Sequence, residues 1–394
     1  MSLCCPALFR TSAFTLITLA AGWGSISGAQ ATSNVTRSPD PVGYAYVTEE
    51  NASNTGAQTE GYAIGSDGSL SALAGSPYNA ATVGDNAVSG NYLFLSDDLN
   101  GSVVTYSIAS GGALTQVTTT NVGAYPLGTA SEGPFTLSFD TTGKSVYPLW
   151  AENDVYQAFN VDEKNGSLNY VDYATAAGES SSGLAFTGND KYAYESGCYH
   201  GTPTIEGYTR ASNGGLTLTW NPELPPQPSG AQYSYCPGGA ATSGDDYVVI
   251  AEQQNDEMAA VGPFQMVVFK VDPSNGSLTT SNTADTAVQT SIGAANSYVF
   301  DPTGNWLAVG GPSGVEVFSF SNGKLKETGT YFITSGVSQV AWDHDGHLVV
   351  YAVGSGTQGL LYVFNVAKGV PTVASGSPVT TEQAYGSLAV KPLS

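Results

Sequence analysis

The chain has 394 residues, of which 48 are Gly, 20 are Pro and 23 are Tyr, and only 11% are charged. Its formal net charge of −22 repels phosphate backbones and anionic lipid, which argues against nucleic acid and membrane surfaces as partners. Abundant strand-forming and turn-forming residues, without any stretch of sustained helical periodicity, predict an all-β protein.

Residues 1–31 are predicted to be a signal peptide. Arg10 precedes the apolar run 13–21, and Ala29-Gln30-Ala31 has the small-x-small pattern that signal peptidase cleaves. The apolar run is too short and too interrupted for a permanent membrane span, although a retained anchor is the alternative. We therefore expect a secreted or periplasmic monomer. Its mature chain, 32–394, forms one domain and has a net charge of about −23 after Arg10 is removed.

A Gly-x-Leu turn recurs along the mature chain at intervals of 44 to 62 residues. An irregular period near fifty is typical of β-propeller blades, each of which is a four-stranded sheet. The repeated positions are Leu70, Leu114, Leu168, Leu216, Leu278, Leu325 and, in the last copy, Val370.

Alternating apolar residues and Asn-Gly or Asp-x-x-Gly turns surround each copy. In the third copy, strands are predicted at 135–139, 145–150, 155–161 and 167–173. Further strands at 44–48 and 385–390 suggest that both chain ends contribute to one blade. The sequence therefore predicts a seven-bladed β-propeller of four-stranded antiparallel blades, in which the repeated turn is part of the scaffold.

The phrases FDPTGNWLAV, VVFKVDPSNGSL and VTYSIASGGAL resemble the blade unit of the lactonase-like seven-bladed propellers. That family includes bacterial 6-phosphogluconolactonase and the fungal carboxymuconate lactonising enzyme. The resemblance covers essentially the whole mature chain. It implies a lactone-hydrolysing site on one face of the ring that uses a His, a Glu and arginines.

Glu252 matches the Glu of that site, whereas the other positions depart from it. The family's Pro-Arg-His phrase is Pro237-Gly238-Gly239 here, and its arginine in the sixth blade falls within 310–313, GGPS. Arg37 and Arg210 are the arginines of the mature chain, and neither matches a site position. Because a phosphorylated or dicarboxylate lactone needs cationic groups, the sequence argues against 6-phosphogluconolactone as substrate.

Carboxylates are expected to converge on the face formed by the loops between second and third strands and by the loops that enter inner strands. Beside aromatic rings, they would suit a small neutral carbohydrate or lactone. A Ca²⁺ site and a solvated acidic rim are the alternatives, and no other cofactor is expected. Our candidate ligand-binding residues are Glu132, Glu152, Trp150, Tyr199 and Tyr235.

His200 is the one histidine predicted to lie on this face. Near Glu195 or Glu252 it would act as a general base that activates water against a lactone carbonyl. The alternative is a surface histidine without a chemical role. His344 and His347 are expected to be solvated on the opposite face.

Cys198 and Cys236 remain after signal cleavage, in a compartment that permits oxidation. Both are predicted to project from the same face of neighbouring blades, so we expect a disulfide between them rather than two buried thiols. Two functions stay open. The first is a divergent lactonase with Glu252, His200 and Glu195 in acid–base roles. The second is a binding or scaffold propeller without chemistry.

Overall fold

The structure is a computed structural model, and it describes residues 40–50, 56–80, 84–125, 136–150, 154–176, 183–199, 202–220, 234–256, 259–283, 286–354, 358–383 and 386–393. The predicted signal peptide lies outside these ranges. So do Glu132, Glu152 and His200. Within the described ranges, no helix has both the length and the apolar character that a bilayer crossing requires.

In the described residues the strands form seven antiparallel sheets of four or five strands, which confirms the seven-bladed β-propeller. Blade one joins the two chain ends, because the C-terminal strand pairs with the first strand of the chain and becomes the innermost strand of the sheet. The strands of blade one are β31 Gly386–Pro392, β1 Pro41–Glu50, β2 Ala57–Gly65, β3 Leu70–Ala72 and β4 Tyr78–Ala80.

Blades two to four each run outward from a short inner strand. Blade two contains β5 Asn86–Ser89, β6 Tyr92–Asp97, β7 Ser102–Ile108 and β8 Leu114–Asn121, followed by a 3-10 helix, Val122–Ala124. Blade three contains β9 Thr136–Phe139, β10 Ser145–Trp150, β11 Val155–Val161 and β12 Leu168–Thr175. Blade four contains β13 Ala185–Phe186, β14 Tyr192–Tyr199, β15 Thr202–Arg210 and β16 Leu216–Trp220.

Blades five to seven repeat the arrangement, and two of them carry an additional short outer strand. Blade five contains β17 Ser234–Ser243, β18 Tyr247–Asp256, β19 Ala259–Val271, β20 Leu278–Thr279 and β21 Val288–Gln289. Blade six contains β22 Ser297–Phe300, β23 Trp306–Gly311, β24 Gly314–Ser321 and β25 Lys324–Phe332. Blade seven contains β26 Val337–Trp342, β27 His347–Val353, β28 Gly359–Ala367, β29 Val370–Val373 and β30 Val379–Thr381.

The repeated turn connects each blade to the one before it. In three of the described turns, the glycine carbonyl accepts a hydrogen bond from a tyrosine on the second strand of the preceding blade, and in blade three the Gly166 carbonyl accepts one from the Thr105 hydroxyl. The hydroxyl groups of Tyr46, Tyr147 and Tyr194 donate to Gly112, Gly214 and Gly276 over 2.8, 2.8 and 2.7 Å, respectively. The prediction that this turn is a scaffold feature is thereby given a physical basis.

Glycine is required in these turns for two reasons. Gly276 has a φ of +77°, and a Cβ atom there would lie 2.4 Å from the ring of Tyr192 in blade four. The turn therefore needs both a left-handed backbone and an absent side chain, because the neighbouring blade packs directly against it.

We expect Gly276→Ala to destabilise the protein by about 2–4 kcal/mol, since it adds overpacking to a left-handed backbone conformation that disfavours Ala. Gly376→Ala is the matched control, because Gly376 also has a φ of +77° but would place its Cβ atom in open space. The control should cost about 1 kcal/mol. Urea unfolding measures both, and equal losses would contradict the crowding.

The turns lie on one face of the ring, here called the bottom face. Ion pairs that involve Arg210 and His347 lie on the same face. Arg210 of blade four pairs with the buried Asp140 of blade three at 2.5 Å and donates to the Tyr147 hydroxyl at 2.9 Å. Arg210 therefore lies on the side opposite to the predicted site. The expectation that His347 is solvated is wrong, because it is 4% exposed and its Nδ1 lies 2.6 Å from Oδ2 of the buried Asp343.

His347 gives the stability of the protein a defined pH dependence. The hydrogen bond and charge of Asp343 raise the pKa of His347, with smaller contributions from Asp345 and Asp67, while burial opposes the shift. The stabilisation is therefore fully present below about pH 6.5 and is lost as the pH rises through the higher folded-state pKa. Urea titrations of wild type and His347→Gln should differ most at pH 5.5 and least at pH 9. A difference that grows with pH would contradict the ion pair.

Candidate functional site

A cavity of about 390 Å³ opens where the inner strands begin, on what we call the top face. Its side chains offer hydroxyl and amide groups, one carboxylate and, among the described residues, no basic group. Such a lining suits a small neutral molecule that is rich in hydroxyl groups. The lining residues are Gly84, Asp85, Thr136, Gly239, Ala240, Asn296, Ser297, Tyr298, Ser338, Gln339, Gly386 and Ser387.

Asp85 supplies the carboxylate of this cavity. Its Oδ1 accepts a hydrogen bond from the Asn86 N–H at 2.8 Å, and its Oδ2 accepts one from the Leu137 N–H of blade three at 3.0 Å. Burial raises the pKa of Asp85 to about 6, although these two hydrogen bonds and one from the Gln339 side chain act to lower it. Asp85 was not predicted as a site residue. The sequence signal that could have identified Asp85 is its place at the start of an inner strand, because a residue at that point borders the cavity.

Glu252 lies on β18 and is 3% exposed. Neither of its carboxylate oxygens has a hydrogen-bond partner among the described residues. Burial raises the pKa of Glu252 to about 8, which favours the neutral carboxylic acid at pH 7. An uncompensated buried polar group is costly unless a bound molecule or water satisfies it.

The position of Glu252 follows from the alternation of β18. Val248 and Ile250 pack against Tyr192 and Tyr194 of blade four, so Glu252, two residues further on, faces the same way. Burial, together with the charge of Glu252, raises the pKa of Tyr298. Tyr298 lines the cavity, and its hydroxyl accepts a hydrogen bond from the Ala251 N–H at 3.1 Å.

A backbone irregularity separates Glu252 from the cavity. The register between β17 and β18 shifts between Pro237 and Ala240, and Glu252 pairs with Pro237. The two residues within the shift are Gly238 and Gly239, and Gly239 lines the cavity. Since neither has a side chain, only backbone stands between the cavity and the second strand of blade five at this point.

Carboxylates at the position equivalent to Glu252 in two other blades have hydrogen-bond partners. Glu49 and Asp97 occupy the corresponding positions of β1 and β6. Glu49 accepts hydrogen bonds from the Gln383 N–H at 2.8 Å and the Tyr351 hydroxyl at 3.3 Å. Asp97 accepts from the backbone and side-chain amides of Asn100. The lack of a described partner distinguishes Glu252 from both.

The structure does not bring Glu195 together with Glu252. Glu195 is fully buried, and its carboxylate accepts hydrogen bonds from the hydroxyl groups of Tyr156 and Tyr208, both at 2.6 Å. Because Tyr156 belongs to blade three, Glu195 and Glu252 lie on opposite sides of the blade-four sheet. Its predicted catalytic role has no geometric support, and the contacts indicate an interblade brace.

Trp150 is also placed differently from the predicted ligand site. It is 1% exposed, donates to Gln157 Oε1 at 2.9 Å and packs between blades two and three with Phe94, Val103 and Phe159. No face of its ring is available to a ligand. The backbones of Tyr199 and Tyr235 lie at the top ends of β14 and β17, but their side chains are outside the described part, as are Glu132, Glu152 and His200 altogether. Their roles stay predictions.

Within the described ranges, no three or more His, Cys, Asp or Glu side chains converge as a metal ion would require. The Ca²⁺ site also stays a prediction, because many of the acidic loops that suggested it lie outside these ranges.

The comparisons with known proteins support the architecture. No family model and no curated protein matches this chain. Among solved structures, the periplasmic gluconolactonase of Pseudomonas aeruginosa matches with a TM-score of 0.55 and 17% identity, over 75% of this chain and 84% of that one. Putative 6-phosphogluconolactonases of Bacteroides fragilis and Bacteroides uniformis match with TM-scores of 0.61 and 0.64 and identities of 14% and 12%. The matches cover 90% and 88% of this chain and 98% and 99% of theirs.

The fold is that of the lactonase-like seven-bladed propellers. At these identities the likeness extends to the fold alone.

The backbone positions of Cys198 and Cys236 are compatible with the predicted disulfide. Ser196 Oγ and the Gly239 backbone exchange hydrogen bonds of 2.8 and 2.9 Å between blades four and five. Cys198 follows Ser196 by two residues and Cys236 precedes Gly239 by three, so both backbones rise toward the top face on neighbouring strands.

We expect the unfolded, unreduced mature protein to take up no iodoacetamide and the reduced protein to take up two equivalents, as read by intact mass. Cys198→Ser should lower stability by about 4 kcal/mol, the chain-entropy value for residues 38 positions apart. Two reactive thiols in the unreduced protein would show that the bridge is absent.

Proposed function

We propose that the protein hydrolyses a small neutral sugar lactone at the top of blades four and five, with Glu252 as a general acid. The observation that carries the proposal is the buried carboxyl group of Glu252, which lacks a described partner and whose strand pairs with Pro237, next to the two glycines of the register shift. A bound lactone would supply the missing hydrogen-bond acceptor.

The charge distribution supports a neutral substrate. Asp85 is the one charged group lining the described cavity, and Arg210 is held by Asp140 and Tyr147 at the bottom face. No described guanidinium is therefore available to bind a phosphate or a second carboxylate at the top. The likeness to a protein named as a gluconolactonase is consistent with this class of substrate.

The proposed hydrolysis requires two proton transfers, one to a base and one from an acid. Water adds to the lactone carbonyl and passes a proton to the predicted base, His200. The ring C–O bond then breaks, and Glu252 protonates the departing ring oxygen. Solvent exchange returns the proton from His200 to Glu252. A carboxyl group with a pKa of about 8 is suited to this task, because it carries its proton at neutral pH.

Ligand binding without chemistry is the second candidate. It is favoured by Gly238 and Gly239, which stand where the family resemblance implies a cation and a base. In that case Glu252 would donate a hydrogen bond to a bound sugar and transfer no proton.

We expect Glu252→Gln to lower kcat for δ-gluconolactone about 100-fold or more, since Gln retains a hydrogen-bond donor but transfers no proton. Wild-type activity should fall as the pH rises through about 8, because the acid then loses its proton. Glu316→Gln is the matched control. Glu316 is fully buried too, but its carboxylate accepts hydrogen bonds from the backbone and hydroxyl of Ser291.

The assay follows proton release above the rate in buffer. If the wild type hydrolyses the lactone no faster than buffer does, but calorimetry shows that it binds the sugar and that Glu252→Ala abolishes this binding, the function is binding rather than hydrolysis. Equal hydrolysis by wild type and Glu252→Gln would remove Glu252 from the mechanism.

A further inference from the structure

A second, larger cavity of about 770 Å³ lies on the bottom face between blades four, five and six. It is bounded by the turns after the inner strands of blades five and six, which include Asp246 and Asp301, and by the turn before β25. Its volume falls within the range of small-molecule sites. Ala240 and Tyr298 line this cavity and the top cavity alike, so they mark the boundary between the two.

The described lining of this cavity carries carboxylates and no basic side chain. Asp301 is buried and accepts hydrogen bonds from the N–H groups of Asn305 and Trp306, and Asp245 accepts one from the Asn189 N–H at 2.6 Å. These two side chains therefore also hold their turns together. Asp246 is exposed, and the described residues provide no hydrogen-bond or ion-pair partner for its carboxylate.

Aromatic side chains form one side of the same cavity. The ring of Tyr247 meets Phe320 edge-on at 5.4 Å between centroids, and Phe320 meets Phe300 at 5.2 Å. Phe300 and Phe320 are buried, whereas Tyr247 is partly exposed and directly follows Asp246. Part of the Tyr247 ring packs against the Gly323 turn of blade six. The exposed remainder, next to unpaired negative charge, attracts a cation that carries an apolar body.

We infer that this bottom cavity binds a small organic cation, such as an amidinium, guanidinium or ammonium group attached to an apolar body. The carboxylate of Asp246 would pair with the cation, while Tyr247 and the neighbouring rings contact the apolar part. The negative charge of the whole chain raises the local concentration of such ligands. The site is separate from Glu252 and does not depend on lactone hydrolysis.

Benzamidine and benzamide form the test pair, because they share a shape and differ in charge. Titration calorimetry with the full-length protein should show benzamidine binding at least tenfold more tightly than benzamide. Asp246→Asn should weaken benzamidine binding at least fivefold, and Tyr247→Leu should weaken it as well.

Asp272→Asn is the control for general electrostatic attraction. Asp272 is a partly exposed aspartate in the turn between β19 and β20, on the same face and outside the cavity lining, and its carboxylate accepts hydrogen bonds from Ser274. This variant, like Glu252→Gln, should bind benzamidine as the wild type does. Equal affinities for benzamidine and benzamide, or equal effects of Asp246→Asn and Asp272→Asn, would overturn the inference. Circular dichroism confirms that each variant is folded.

Discussion

Close packing of each turn glycine on the preceding blade, with hydrogen bonds from tyrosine hydroxyls at three junctions, connects neighbouring blades and explains why one short turn recurs along the chain. A single blade leaves both faces of its sheet apolar, so it is stable only between two others. Tyr147 and Tyr194 each reach the turn of the next blade, and glycine there lets the two sheets pack directly. Strand β31 closes the ring by pairing with β1. The position of every residue at the top face depends on this closed arrangement.

Local patterns predicted the architecture well because they arise from contacts close in sequence. The repeated leucines begin or nearly begin the outer strands, and the two chain ends share blade one, as expected. Contacts between blades were harder to predict. His347 was expected to be solvated, yet Asp343 and the packing of blade seven bury it. The pairing of Glu195 with Tyr156 likewise depends on how blade three meets blade four, which no local pattern specifies.

The candidate site was predicted in part, for a similar reason. Glu252 was identified through its resemblance to a family position, but its burial without a described partner depends on the packing of blade four. Asp85 borders the channel because of its place at the start of an inner strand, and its sequence context carries no catalytic motif. The two ends of the propeller therefore differ. Arg210 and His347 are paired at the bottom, whereas the part of the chain that the structure describes offers the acid of Glu252 at the top no partner.

The proposed function rests on the claim that Glu252 is a neutral carboxylic acid in the folded protein near pH 7. Infrared difference spectroscopy of the wild type against Glu252→Gln measures this directly, through the C=O stretching band of a protonated carboxyl group. Our account predicts that the wild type shows an additional band at pH 6.5, which disappears as the pH rises through about 8. A band absent at pH 6.5, or one lost near pH 4.5, would show that Glu252 is an ordinary ionised carboxylate and would contradict the account.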